Sequence, residues 1–169
     1  MRAMDAIDRK ILAELQEDAH LTNQQLAARI GLSPSPTLRR VRRLKDDGII
    51  ARYVAVVEPR RLGLQVMALV TLTLASQDDA TISAVEERIR SLDEVTEAYT
   101  LAGQADYIIK VWVSSLETYE EFVRTKLRTV RGLASITTMF AYATVKPPSP
   151  ISPPPPHAER STDRDRRSR

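Results

Sequence analysis

Apolar positions in the first third of the chain recur at helical spacing in three short blocks. Ile7, Ile11, Leu12 and Leu15 mark an amphipathic helix from about Asp5 to Glu17, with Asp5 and Asp8 where the helix dipole favours acids. Thr22 is placed to cap a second helix through its hydroxyl while Gln25 reaches back to complete a capping box. Leu26, Ala27 and Ile30 bury one face of that helix, and Gly31 follows where a left-handed residue ends it. After the turn Gly31-Leu32, Ser33 is a natural N-cap, Pro34 suits the first helical position, and Pro36 still lies in the first turn, where no intrahelical N–H bond is lost. At about 100° per residue, Thr37, Leu38, Val41 and Leu44 share one arc of this third helix. Arg39 and Arg43 point the opposite way, with Arg40 and Arg42 flanking them, and Gly48 ends the helix.

Beyond Gly48 the pattern changes. Ile49 to Val57 is rich in β-branched residues and reads as a strand leaving the helical unit, followed by breaks at Glu58-Pro59 and Gly63. The middle third then alternates signals in the order βαββαβ: strand Val66 to Ala75, helix Asp79 to Leu92, strand Val95 to Leu101, strand Tyr107 to Val113, helix Leu116 to Val130 and strand Leu133 to Val145. That order predicts a ferredoxin-like antiparallel sheet with two helices on one face. Both faces of the first strand are largely apolar, since Val66, Ala68, Val70, Leu72 and Leu74 alternate with Met67, Leu69, Thr71 and Thr73. The uncovered face therefore calls for a second subunit, and a homodimer is expected. From Pro147 the chain holds seven of its ten prolines and then a mixed-charge end without periodic apolar residues, the composition of an extended tail.

The fold class is therefore α+β, with three expected segments: residues 1–61 a winged-type helix-turn-helix with a hinge strand, 62–146 the βαββαβ domain, and 147–169 a Pro-rich basic tail. Charge separates them in the same way, at net +4, −3 and +2 respectively. A basic first third implies a polyanionic partner there, whereas the acidic middle suits assembly or a small ligand. Cysteine is absent, which excludes disulfides and thiolate metal sites, and no metal or other cofactor is expected. No apolar run nears 18 residues and no signal segment opens the chain, so a cytoplasmic location is expected.

Two short helices about a tight turn, the second carrying four arginines, form the layout of a reader of double-stranded DNA. The expected DNA-contacting positions are Ser33, Ser35, Pro36, Thr37, Arg39, Arg40, Arg42 and Arg43. Of these, Ser35, Pro36, Arg39 and Arg43 are assigned to the major groove, where arginine donates two bonds to guanine O6 and N7, and Arg40 and Arg42 to phosphates.

The order of parts resembles the Lrp/AsnC family of transcription regulators. The resemblance covers residues 4–146 and is carried by MDAIDRKILAELQEDAHLTNQQLA, by GLSPSPTLRRVRRLKDDGIIARYVAVVEPRRLG and by VTEAYTLAGQADYIIKVWV. It implies a homodimer, commonly assembling into octamers, that binds DNA through its N-terminal domains and senses amino acids through its C-terminal domains. It also places an effector pocket between dimers near the loop joining the second and third βαββαβ strands, here Gly103-Gln104-Ala105-Asp106. Leu101, Ala102, Gly103 and Asp106 would line one side, with Met139, Phe140 and Ala141 on the last strand matching positions near the pocket. Glycine lets backbone groups approach a ligand closely, and a carboxylate pairs with the ammonium of an amino acid. The alternative is that Gly103 and Asp106 only shape a turn. Ala105 stands where many relatives carry an aromatic, and the lining of Leu, Ala, Met and Phe suits an apolar amino acid.

Two rival functions share parts of this plan. Haem-pathway decarboxylases share a similar two-domain plan, but the only histidines are His20, before the second helix, and His157, in the tail, so the βαββαβ segment has none for general acid work. No Ser-His-Asp set, phosphate loop or metal cluster is recognisable in the sequence, and an enzyme is not expected. An effector-independent architectural protein would share every DNA-binding feature and differ only in ignoring amino acids.

Overall fold

The structure, a computed structural model, describes residues 4–151. The remainder of the expected tail, including His157 and its arginines, lies outside the described residues. The chain divides into two compact units, one of residues up to Ala55 together with the segment from Lys146, the other Val56–Val145.

In the first unit three helices, α1 (Ala6–Glu17), α2 (Asn23–Ile30) and α3 (Pro34–Asp46), close over Ile11, Leu26, Ile30 and Leu44. Their ends are set by local chemistry. The Asp5 carboxylate accepts from the Asp8 N–H and the Asp8 carboxylate from the Asp5 N–H, a capping box at α1. Thr22 and Gln25 do the same at α2, and Gly31 ends α2 at φ +74°, where any side chain would be strained. Ser33 occupies the N-cap of α3 without a side-chain cap bond. Pro36 stands at the third helical position, so one of the two N–H groups that a capping hydroxyl normally reaches is missing. Residues 146–151 join this unit through Gln16, whose amide Nε2 donates to the Ile151 carbonyl at 3.1 Å and whose Oε1 accepts from the Ile151 N–H at 2.7 Å.

One sequence expectation is overturned between the units. Ile49 to Val57 forms no strand: residues 51–58 lack regular structure, and Val56 is 87% exposed. Strand propensity reports fit to a pleated, half-buried surface, and among the described residues no neighbouring strand supplies ladder partners to this segment. A short 3-10 turn, Pro59–Leu62, follows and ends at Gly63.

The second unit has the expected βαββαβ order: β1 (Val66–Leu74), α4 (Asp79–Arg90), β2 (Val95–Thr100), β3 (Tyr107–Val113), α5 (Leu116–Phe122) and β4 (Leu133–Ala141). The sheet is antiparallel in the order β2-β3-β1-β4, the ferredoxin-like arrangement. Its helix-covered face holds Ala68, Val70 and Leu72 of β1 and Ile109 and Val111 of β3, packed with Val85 and Ile89 of α4 and Tyr119, Phe122 and Leu127 from the α5 region. The predicted Leu116–Val130 helix differs from the structure in its second half. After Phe122 the chain widens into a π-helical turn, Val123–Leu127, which brings Leu127 into the core and leaves the helix shorter. The strand pairing leaves the opposite face open, with Met67, Leu69, Ile108, Trp112, Tyr99 and Met139 on it beside a Lys110–Glu97 ion pair at 2.8 Å.

Candidate functional site

The first candidate surface is α3. Leu44 and Thr37 are fully buried against α1 and α2, and the Thr37 hydroxyl donates to the Ser33 carbonyl at 2.9 Å. Thr37, counted among the DNA-contacting positions, therefore belongs to the packing of the helix start. Asn23 Nδ2 donates to the Pro34 carbonyl at 2.8 Å, tying α2 to the first turn of α3 across the turn. Leu38, expected in the buried arc, is 38% exposed and shares the outer face with Ser35, Arg39, Arg42 and Lys45. Arc width explains the difference. At about 100° per residue, Leu38 lies on the margin of a seam centred on Thr37 and Leu44.

The four arginines separate. Arg40 Nη1 donates to Asp5 Oδ2 at 2.7 Å and to Asp8 Oδ1 at 2.8 Å, and Arg43 Nη2 donates to Asp8 Oδ2. The Asp5 carboxyl is held below its ordinary value, first by the Asp8 N–H and then by Arg40, and the Arg40 guanidinium is raised above its ordinary value, first by Asp5 and then by Asp8. Arg39 and Arg42 are exposed, and no described residue forms an ion pair with either. Lys45 sits over the Tyr53 ring at 4.8 Å, where its charge remains available to solvent. The sequence placed Arg43 with Arg39. The structure instead leaves Arg39 and Arg42 as the free pair and anchors Arg43 beside Arg40.

The second candidate is the β2–β3 connection, Leu101–Asp106. The Asp106 backbone ties it down, its N–H donating to the Leu72 carbonyl at 2.9 Å and its carbonyl accepting from the Leu101 N–H at 2.8 Å. Its carboxylate accepts from the Leu74 N–H at 2.7 Å and from Gln77 Nε2 at 2.9 Å. Because β1 and β3 last pair at Leu72 and Tyr107, Asp106 extends the bonding of β1 one step beyond the ladder. Gly103 is exposed, has no left-handed φ, and a Cβ added there meets nothing within 4 Å. Glycine at this position serves no conformation of the isolated chain.

The other predicted pocket residues lie elsewhere. Met139, Phe140 and Ala141 pair with Leu69, Ala68 and Met67, at the opposite end of β1 from Asp106, roughly 13–20 Å away along the strand at ~3.3 Å per residue. They also alternate in direction. Met139 and Ala141 point to the open face, whereas Phe140 faces α5 and meets the Tyr119 ring edge-on at 5.0 Å. One protomer therefore does not gather the two groups into one pocket. Phe140 instead floors a groove of about 480 Å³ with Ile136, Thr138, Val123 and Leu116, rimmed by Arg128 and by an Arg124–Glu120 ion pair at 3.5 Å. An apolar floor beside the Arg128 guanidinium suits a carboxylate with an apolar body. Sequence reasoning missed this groove, although two arginines four residues apart at the end of an amphipathic helix were visible. No cluster of three or more His, Asp or Glu among the described residues is placed to hold a metal ion.

Comparison with known proteins gives a match in each of the two units. The family model described as the Lrp/AsnC ligand binding domain matches residues 67–151, and a winged helix-turn-helix DNA-binding model matches residues 4–51. This chain belongs to the Lrp/AsnC family. It is accordingly a transcriptional regulator with a helix-turn-helix and a ligand-binding domain. Among Lrp/AsnC relatives, the chain is 36% identical over 143 residues to the leucine-responsive regulatory protein of Rhizobium meliloti strain 1021, covering 85% of this chain and 92% of the relative. It is 35% identical to the transcriptional regulator AzlB of Bacillus subtilis strain 168, covering 85% and 91%. Among solved structures it is similar to Escherichia coli AsnC, with 32% identity, a TM-score of 0.82 and coverage of 90% and 100%. It is also similar to a Neisseria meningitidis transcriptional regulator solved as its L-Met complex, with 29% identity, a TM-score of 0.84 and coverage of 88% and 96%.

Proposed function

We propose that the chain is a sequence-specific regulator that presents Ser35, Pro36 and Arg39 of α3 to the major groove of double-stranded DNA and Arg42 to its phosphates, and responds to an apolar amino acid. The observation that carries the DNA half is the outer face of α3, where Arg39 and Arg42 stand free opposite a seam sealed by Leu44 and Thr37. Ser33, the N-cap, and Arg40, paired to α1, lie beside the buried seam and off that face.

The ligand half rests on the exposed, unstrained Gly103 and on the groove beside Phe140. These stand far apart in one protomer, so a ligand touching both takes one group from each of two copies, in a homodimer or a larger assembly such as an octamer. The open sheet face bearing Leu69, Trp112 and Met139 is the surface on which two copies would pair. The N. meningitidis relative, solved with L-Met, supports an amino-acid ligand with an apolar side chain. The division of labour between residues 1–61 and 62–146, the accessory place of the tail after Pro147, a cytoplasmic location and the absence of catalysis are parts of the same proposal. No described helix is long and apolar enough to cross a membrane.

The experiment is binding to the DNA just upstream of this protein's own gene, titrated with each of the twenty amino acids at fixed salt. A shift in affinity with one of them supports a metabolite-responsive regulator. Specific binding indifferent to all twenty would support the architectural reading, and no preference for this DNA over random sequence would sink sequence specificity there.

A further inference from the structure

Asp8 is an unusual residue for a basic, DNA-facing unit: a carboxylate only 1% exposed, built into α1 and pointing at α3. Every carboxylate oxygen around it is in use. Asp8 Oδ1 accepts from Arg40, Asp8 Oδ2 from Arg43 and the Asp5 N–H, Asp5 Oδ1 from the Asp8 N–H, and Asp5 Oδ2 from Arg40. Two acids and two guanidinium groups thus form a closed, neutral cluster between α1 and α3. A buried carboxylate that loses a cation partner is left as an uncompensated charge, so a solvent-screened phosphate competes poorly for Arg40 or Arg43.

We infer that Asp8, assisted by Asp5, is a specificity-setting residue of the DNA site: it withholds Arg40 and Arg43 from DNA, so that of the four α3 arginines only Arg39 and Arg42 contribute free charge. This rests on the reading that α3 faces DNA. Its consequence lies in the balance of affinities. Sequence-independent binding grows with the number of phosphates neutralised, whereas base-edge contacts do not. Holding two arginines internally lowers the first without touching the second. The same bonds fix α3 against α1, so Asp8 also positions the helix that carries Arg39 and Arg42.

The test is the salt dependence of binding to a random-sequence duplex of about 30 base pairs, compared among the wild type, Arg42→Gln, Arg43→Gln and Asp8→Asn. Arg42→Gln should lower the slope of log affinity against log salt by about 0.9, which is ~3.5-fold in affinity between about 50 and 200 mM. Arg43→Gln should leave the slope at the wild-type value. Asp8→Asn, which keeps an oxygen for the Asp5 N–H, should steepen the slope by roughly 1 to 2 as its arginines are released. Should Asp8→Asn fail to fold, the two arginine variants still decide the matter. An equal drop from Arg42→Gln and Arg43→Gln overturns the inference. If wild-type binding is salt-dependent yet neither arginine variant moves the slope, α3 is not on the DNA, and the underlying reading falls together with this one.

Discussion

Replacing Asp106 by alanine removes the acceptor that takes the Leu74 N–H at 2.7 Å and the Gln77 amide at 2.9 Å. Leu74 is buried at the end of β1, past the last residue that β3 pairs, so its N–H has no ladder partner on that side to fall back on. A hydrogen bond to a charged acceptor is worth about 1.5–3 kcal/mol, and because Asp106 is only half-buried, water recovers part of it, leaving an expected loss of ~1–2 kcal/mol. Asp106→Asn keeps one oxygen for Leu74, and the Gln77 amide can turn to present its own oxygen, so that variant should lose less than about 1 kcal/mol.

Urea unfolding followed by the fluorescence of Trp112, the single tryptophan and a residue of β3, reports this unit directly. With a urea slope of ~2 kcal/mol per M, Asp106→Ala should lower the midpoint by about 0.5–1 M at fixed protein concentration. A midpoint unchanged from wild type would refute the reasoning that Asp106 extends the β1 ladder. The asparagine variant then separates shape from charge. If the carboxylate also pairs with a ligand ammonium, Asp106→Asn should fold well and lose the amino-acid response. If Asp106 only holds the turn, the response should survive.

The other predictions address the fold and its assembly. Gly132 has φ +94°, and a Cβ there would lie 2.5 Å from Thr81 Cγ2, so Gly132→Ala should cost about 2–3 kcal/mol in the same urea assay. Thr81→Ser, which removes that methyl, should return part of the loss but not the part due to φ; no rescue would place the whole cost in the backbone. The Asp78 carboxyl, which caps α4, is depressed from 3.8 to about 2 by the Ser76 hydroxyl and by the Thr81 N–H and hydroxyl. A folded value below the unfolded one means that its contribution is present above pH ~4 and disappears as the pH falls towards 2. NMR titration of Asp78 with a midpoint near 3.8 would remove this cap from the account. Leu69→Lys places a second cation opposite Lys110 on the open sheet face, so the variant should sediment as a monomer with its secondary structure retained. A wild type that already sediments as a monomer at micromolar concentration would exclude that face as the dimer surface.

Much of the fold is legible in the sequence because its signals are local. The acids Asp5 and Asp8 at the start of α1, the capping box at Thr22, the left-handed Gly31 and the prolines of α3 each act within four residues, and each element they bound formed where the pattern places it. The alternation in β1 likewise predicts one face packed on helices and one left open. Legibility fails where an outcome depends on a distant or absent partner. Ile49 to Val57 has strand composition but no strand beside it among the described residues. The helix from Leu116 widens at Val123 into a π-helical turn, a change of pitch that a regular 100° wheel does not describe. Met139, Phe140 and Ala141 are adjacent in sequence, yet a strand sends neighbours to opposite faces and separates Phe140 from the other two.

The arginines of α3 show why the site is harder to read than the fold. A helical wheel distinguishes inward from outward positions, and it correctly sets Leu44 against Arg39. It places Arg43 near the outer face as well, about 40° from Arg39, and nothing in the local pattern separates the two. What separates them is Asp8, 35 residues before Arg43, whose carboxylate reaches one and not the other. The net charge of the first third is the same whichever acid pairs with whichever base, so composition reports attraction to a polyanion without saying which side chains supply it. Helix packing decides that assignment, by bringing α1 against one flank of α3 and leaving the other bare. A DNA-contact set for this chain therefore follows from the α1–α3 interface as much as from α3 itself, and substitutions in α1 that never approach a base should alter the salt dependence of binding.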